Sequence, residues 1–269
     1  MKNSKCFSGD LKPHYLLSNR QLTQCMSLFN GQGKMSLTFI DLGQLQIEIN
    51  RNNNQSFGTD FLGPTEQTTY NSFKYEKRKT EWLGGRLAVK HSAAQIISNK
   101  QSLTDWQAWE IVPNQEGRPY IKPQLSESEP YPEISISHSG NIACGLASWP
   151  CPCGIDLQKT SQTTIKIKKR FALPQEEELL NNFFHTHEHG PCETLTLLWS
   201  AKEAFRKAYN CSPLIGFTDL ELIKITALGE STFTGHFSCN RPDTPDKLQC
   251  FLALENDFAT AITFVGSAP

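Results

Sequence analysis

Apolar residues in this 269-residue chain never run long. They recur in short sets whose period switches between two residues and three to four. Ile134-Ser-Ile136-Ser alternates as a half-buried strand does, then passes a turn at His138-Ser-Gly-Asn into a second apolar run, Ile142–Leu146. That is a hairpin. Leu83, Leu87, Ala94 and Ile97 are spaced four, seven and three apart, which puts them on one helix face within Tyr70–Asn99. Gly84-Gly85 in that segment marks either a break or a close packing contact.

The switching continues along the chain. Strands are expected at Leu37–Ile40 and, after a break at Asp41–Gly43, at Leu45-Gln-Ile47-Glu-Ile49. Asn50–Gly58 is a loop, and the first 35 residues show no clear period. Trp109–Val112 is a short strand ending in a turn at Asn114–Gly117, and Pro119, Pro123, Pro130 and Pro132 hold an irregular connection. Gly154–Gln158 is a strand, 163–182 is helical with a restart at Pro174, and Leu195–Tyr209 is the strongest helix. Four further strands are expected at 219–226, 232–238, 248–254 and 259–265. Strands and helices alternate in both halves with no residue-level repeat, so the fold class is α/β (α+β).

At roughly 150 residues per domain, the length allows one large domain or two modest ones. A hydrophobic share of 38% supports a core and excludes collagen-like or wholly disordered chains. Lys and Arg total 26 against 27 Asp and Glu, a net charge of −1. That balance offers no bulk attraction to phosphate backbones, so no nucleic-acid partner is expected. No apolar stretch reaches the 18 or more residues that span a bilayer, and Met1–Leu17 lacks the apolar segment of an export signal. The nine cysteines, an odd count, then read as reduced thiols in a cytoplasmic protein with no membrane association.

Three islands carry chemistry. In Ile134-Ser-Ile-Ser137-His138-Ser139, hydroxyls and an imidazole cluster at a hairpin end. Such a group suits phosphate oxygens, though a hairpin turn with a locally packed His explains it as well. In Gly154-Ile-Asp156-Leu-Gln158, alternation places Asp156 and Gln158 on one strand face. They are hard oxygen donors fit for Mg²⁺, or simply an exposed strand face. In Trp199-Ser-Ala-Lys202-Glu203-Ala-Phe-Arg206-Lys207-Ala-Tyr209, Trp199, Glu203 and Lys207 share one helix face, and Lys202 with Arg206 the adjacent one. An ordinary helical ion pair accounts for that spacing. A functional account has Glu203 complete a metal site with Asp156 while the lysines neutralise phosphate.

Order and separation decide between these accounts. The second island starts about 20 residues after the first and the third about 45 after the second, and in that arrangement they resemble the 4′-phosphopantetheinyl transferases of the larger, surfactin-synthetase-activating type. Glu116-Gly117-Arg118-Pro119-Tyr120 is similar to the family's G-K/R-P turn, and Lys169-Arg170-Phe171 with Glu176–Glu178 to its KRF helix and acidic segment. The resemblance covers about Tyr70 to Tyr209.

It implies a pseudo-dimer of two acyl-carrier-synthase-like halves, each a small antiparallel sheet packed with helices, with the active site in the cleft between them. The halves would be 1–149, with the coenzyme A-contacting helix, the G-R-P turn and the ISISHS hairpin, and 150–269, with the GIDLQ strand, the WSAKEAFRK helix and the metal site. A monomer is implied. The implied activity transfers the 4′-phosphopantetheine arm of coenzyme A to a serine of an apo acyl or peptidyl carrier protein, releasing 3′,5′-ADP. Mg²⁺, with Mn²⁺ as an alternative, would be held by Asp156, Glu203 and Gln158, the last directly or through water. Gln158 stands where related enzymes commonly have Glu. Glu203 matches the proposed general base, and Lys202 is implied at the leaving group. Coenzyme A contacts are implied for Arg118, Ser137, His138, Lys207, Gly117 and Pro119, with Arg86 and Lys90 adding to the same pocket. Lys166, Lys168, Lys169 and Arg170 would steer an acidic carrier.

Other chemistries fit less well. Cys151-Pro-Cys153 and His185-Thr-His-Glu-His189 with Cys192 lack the usual zinc spacings. No G-x-S-x-G hydrolase elbow is present. The alternative from another class is a coenzyme A- or carrier-binding module without turnover, for which Gln158 is the support.

Overall fold

The two helical periods that stand out in the sequence each become a long helix laid across an antiparallel sheet. The computed structural model describes residues 16–29, 33–51, 60–97, 106–107, 109–123, 131–185, 189–209, 213–241, 244 and 248–265. Two units emerge, one built on Gly33–Pro150 and the other on Leu16–Gln32 together with Cys151–Pro269.

In the N-terminal unit, β1 (Gly33–Asp41), β4 (Glu133–Ser139) and β5 (Ile142–Pro150) form a sheet in the order β1-β5-β4. Helix α2 (Leu42–Arg51) follows β1, α3 (Pro64–Ser72) precedes the long α4 (Glu76–Ile96), and β2 (Trp109–Pro113) pairs with β3 (Pro119–Pro123). Leu83, Leu87 and Ala94 are buried as the spacing requires. The Gly84-Gly85 pair is a packing contact: a Cβ at Gly84 would meet Leu42 at 2.5 Å, and one at Gly85 would meet Ile136 at 2.7 Å.

Two expectations fail here. Leu45–Ile49 is helix, not strand, because Leu42, Leu45 and Ile49 are the buried set while Ile47 is 44% exposed. The chance alternation Leu-Gln-Ile-Glu-Ile hid a helical stripe that begins at Leu42. The proline-held connection is a regular strand over Pro119–Pro123, tolerated because its prolines stand at the strand ends.

In the C-terminal unit, β6 (Cys153–Lys159), β7 (Leu220–Ala227), β8 (Thr232–Cys239), β9 (Leu248–Glu255) and β10 (Phe258–Phe264) form a sheet in the order β6-β10-β9-β8-β7. Helices α5 (Gln162–Ile167), α6 (Pro174–Phe184) and α7 (Pro191–Ala208) pack with it. Helix α1 (Asn19–Leu28) also belongs to this unit: Gln21 Nε2 donates to Glu255 Oε2 (3.0 Å), and the Phe29 and Phe264 rings meet at 4.4 Å.

Each unit is locked by the same buried construction. In the C-terminal unit Lys202 Nζ, fully buried on α7, donates to Glu176 Oε2 and to the Phe171 carbonyl, both at 2.7 Å. Glu176, also fully buried, accepts from the Leu173 N–H (2.8 Å) to cap α6 and from the Leu222 N–H (2.7 Å) of β7. In the N-terminal unit Lys90 Nζ of α4 donates to Glu66 Oε2 (2.5 Å) and to the carbonyls of Phe61 and Trp106 (2.8 Å each). Glu66 accepts from the Gly63 N–H (3.1 Å) and the Ile111 N–H (3.0 Å). The residues involved spell one pattern twice, Phe61-Leu-Gly-Pro64-Thr-Glu66 and Phe171-Ala-Leu-Pro174-Gln-Glu176, with the lysine 24 and 26 residues later. A repeat therefore exists, carried by four residue types rather than by continuous similarity.

Single removal of a clamp partner leaves a buried uncompensated charge. Lys202→Met and Lys90→Met should each lower unfolding free energy by about 3–5 kcal/mol in urea titrations, whereas Glu176→Leu combined with Lys202→Met should cost less than Lys202→Met alone.

Candidate active site

Alternation along β6 puts Gly154, Asp156 and Gln158 on one face, where their cross-strand partners Ala261 and Ala259 belong to the core cluster that includes α7. Gly154 sets the helix height. A Cβ there would lie 1.9 Å from the Ala204 carbonyl, so α7 crosses β6 at a distance that only glycine permits. That approach lowers Glu203 and Lys207, one turn apart on α7, onto Asp156.

Asp156 is 2% exposed. Its Oδ1 accepts from Lys207 Nζ (2.8 Å), which also donates to the Ile155 carbonyl (3.0 Å), and its Oδ2 accepts from Gln158 Nε2 (3.3 Å). Glu203 Oε1 accepts from Arg206 Nη1 at 2.9 Å. Arg206 is itself fixed, its Nε donating to the Ile215 carbonyl (2.9 Å) and its guanidinium lying 4.4 Å over the Phe217 ring. Burial pushes the Glu203 carboxyl above its usual range and the negative charge of Asp156 pushes it further, against the opposing pull of Arg206 and Lys207. Two carboxylates held at close quarters in a half-buried site, beside an amide and an ammonium, can hold a hard cation and accept a proton. The i,i+3 spacing of Glu203 and Arg206 is the sequence signal for this pair.

In the N-terminal unit a cavity of about 220 Å³ is lined by residues that include Arg78, Glu81, Trp82, Arg86, Gly117, Pro119 and His138. Arg86 stacks on Trp82 at 4.4 Å, and its Nε is buried with no hydrogen-bond partner. Burial pulls the Arg86 guanidinium down to about 10. Gly117 (φ +84°) closes the turn between β2 and β3, in which the Asn114 side chain accepts the N–H groups of Glu116 and Arg118. Nothing in the residue spacing signals that Arg78, Glu81 and Trp82 line a cavity.

Several expected site residues go elsewhere. Lys202 and Lys90, read as phosphate-contacting groups, are the buried clamp lysines, whose donors are turned to carboxylate and carbonyl oxygens inside each unit. Burial depresses both ammonium groups against the pull of Glu176 and Glu66. Neither has an exposed atom to offer a ligand. Arg118 Nη2 reaches Glu133 Oε2 at 2.9 Å. Ser137 and His138 leave β4 on opposite faces, Ser137 being buried at 6% and His138 lining the cavity. Of the cysteine and histidine set, His187 lies outside the described residues, His189 packs against the Phe184 and Phe233 rings, Cys153 is buried and Cys192 is a half-buried thiol. Among the described residues no group of three or more His, Cys, Asp or Glu converges on a metal position. No described helix is long and apolar enough to cross a membrane.

Residues 152–263, which contain this constellation, match the family model of the 4′-phosphopantetheinyl transferase superfamily. The family resemblance of the C-terminal unit stands. A 4′-phosphopantetheinyl transferase of Bacillus subtilis is 40% identical over 92 residues, which are 34% of this chain and 37% of that protein. The match thus spans a little over a third of that relative's length. Among solved structures, a holo-(acyl-carrier-protein) synthase from Bacillus anthracis in complex with CoA (3′,5′-ADP) is 21% identical, with a TM-score of 0.35 over 43% of this chain and 93% of its own. The corresponding synthase of Neisseria meningitidis is 18% identical, with a TM-score of 0.36 over 43% and 95%.

Because the folded state raises the Glu203 pKa, native protein binds more protons than unfolded chain above the usual carboxylate range, and stability falls as pH rises through that window. Glu203→Gln should therefore raise the melting temperature at pH 7 and flatten its decline between acidic and neutral pH, as checked by thermal scans across pH.

Proposed function

We propose that this chain transfers the 4′-phosphopantetheine arm of coenzyme A to a serine of an apo acyl or peptidyl carrier protein. The observation that carries the proposal is the convergence of Asp156, Gln158, Glu203 and Lys207 on one face between β6 and α7, inside the stretch that matches the transferase family. The serine Oγ attacks the pantetheine-bearing phosphorus of the pyrophosphate, the bond to the bridging oxygen breaks, and 3′,5′-ADP leaves with the electron pair.

The donor set is made of hard oxygens, which suits Mg²⁺ or Mn²⁺ held by Asp156, Glu203 and the Gln158 amide oxygen, the last directly or through water. Such an ion, when bound, would neutralise charge on the pyrophosphate oxygens. Lys207 holds an ammonium beside Asp156 and would bind a phosphate oxygen. Glu203, its carboxyl held above the usual range by burial and by Asp156, would take the serine proton, directly or through water. In the N-terminal unit, Arg86, Arg78 and His138 line a cavity whose unpaired buried Nε suits a phosphate oxygen. Lys166, Lys169 and Arg170, at and after the end of α5, supply positive charge for an acidic carrier, while Lys168 is tied to Glu177 at 2.5 Å.

Incubation with coenzyme A, Mg²⁺ and an apo carrier should add the mass of phosphopantetheine to the carrier in intact-mass spectra. No gain across several carriers would refute transfer. Asp156→Ala and Glu203→Gln should abolish it, and Gln158→Ala should retain it if water replaces the amide. The acid limb of the pH–rate profile should lie above the ordinary carboxylate range. Lys207→Met should move it higher, because Lys207 is one of the charges holding the Glu203 pKa down.

A further inference from the structure

Glu81 contradicts the chemistry of the cavity it lines. The surrounding cations are Arg78 and Arg86, with the His138 imidazole beside them, and the buried Arg86 Nε has no partner. Into this anion-seeking cavity α4 inserts one carboxylate, 16% exposed. Its approaches to Lys77 (3.9 Å) and Arg78 (4.0 Å) are beyond hydrogen-bond distance, and among the described residues it makes no other polar contact. Those partners are 84% and 54% exposed, so water screens both pairs and neither neutralises Glu81 firmly. Glu81 is therefore held in the cavity without being consumed by a structural bond.

We infer that Glu81 is an affinity-setting residue that keeps this cavity weak toward a phosphate dianion. The inference rests on the proposed function, in which coenzyme A enters with a 3′-phosphate and 3′,5′-ADP leaves with the same group. An interaction common to substrate and product strengthens both equally and does nothing for the chemical step. A cavity with two guanidiniums and no opposing charge would retain the product. One carboxylate lowers affinity for the dianion, the ligand class most affected, and leaves groups without the 3′-phosphate nearly untouched.

The experiment measures binding of adenosine 3′,5′-bisphosphate and of adenosine 5′-phosphate to the full chain by calorimetry, without turnover. Trp82 fluorescence, taken as the part of the signal lost in Trp82→Phe because the chain has five tryptophans, reports occupancy of the cavity independently, since Arg86 stacks on that ring. Glu81→Gln should tighten the bisphosphate about tenfold and the monophosphate less than twofold, with the gain shrinking as salt rises. Glu76→Gln, which removes a carboxylate of the same helix that pairs with Lys79 outside the cavity lining, should change neither. Unchanged bisphosphate affinity in Glu81→Gln, or an equal gain in Glu76→Gln, would overturn the inference. If the bisphosphate fails to bind wild-type protein but inorganic pyrophosphate perturbs Trp82 and binds tenfold tighter to Glu81→Gln, the role of Glu81 holds and the coenzyme A reading falls. Binding of neither anion to either protein would defeat both.

Discussion

A buried lysine–glutamate clamp fixes each unit and sets the rotation of the long helix that carries its candidate site residues. A glutamate at the third position of a proline-led helix gives one oxygen to its own cap and to the lysine, and the other to a strand N–H. One carboxylate thus ties a helix start, the middle of a long helix and a strand. Charges this deep are costly to desolvate, and the arrangement is tolerable because the carboxylate and the ammonium each have several partners. What the clamp supplies is rotational phase. Successive residues on a helix point about 100° apart, so driving Lys202 inward leaves Glu203 directed toward Asp156.

The site is built against the preference of its parts. Gly154 lets α7 come close enough to set Glu203 beside a second, nearly buried carboxylate. Desolvation and the resulting repulsion raise the Glu203 pKa, a local cost of holding the two carboxylates together. Arg206 and Lys207 hold that cost in check without cancelling it. The stability of the C-terminal unit rests instead on the clamp and on the core beneath α7, which includes Phe205, Phe233 and Phe237.

Much of this was legible in the residue order. The β4–β5 hairpin, β6, the long helices and the last four strands follow from periodicity, because buried faces demand it. Strand alternation pairs Asp156 with Gln158 and one helical turn pairs Glu203 with Lys207, but only the family resemblance joined them into one site. Helix α2 was misread because five residues satisfied two periods, and burial of Leu42 settles which one operates. The burial of Lys90 and Lys202 escapes the sequence for a different reason. A lysine near a carboxylate motif looks the same on paper whether its ammonium faces solvent, a ligand or a buried glutamate 24 to 26 residues earlier.

The class of fold and the elements that carry Asp156 and Glu203 can be read from residue order, since both depend on local spacing, and the motifs on those elements carry the family resemblance. Tertiary structure decided which charges are structural and which are available. Lys202 and Lys207 lie five residues apart on one helix, yet the first is sealed between Phe171 and Glu176 and the second reaches Asp156 at the edge of solvent. Charge is a property of the residue. Its use depends on distance and dielectric, and both are set by chain segments remote in sequence.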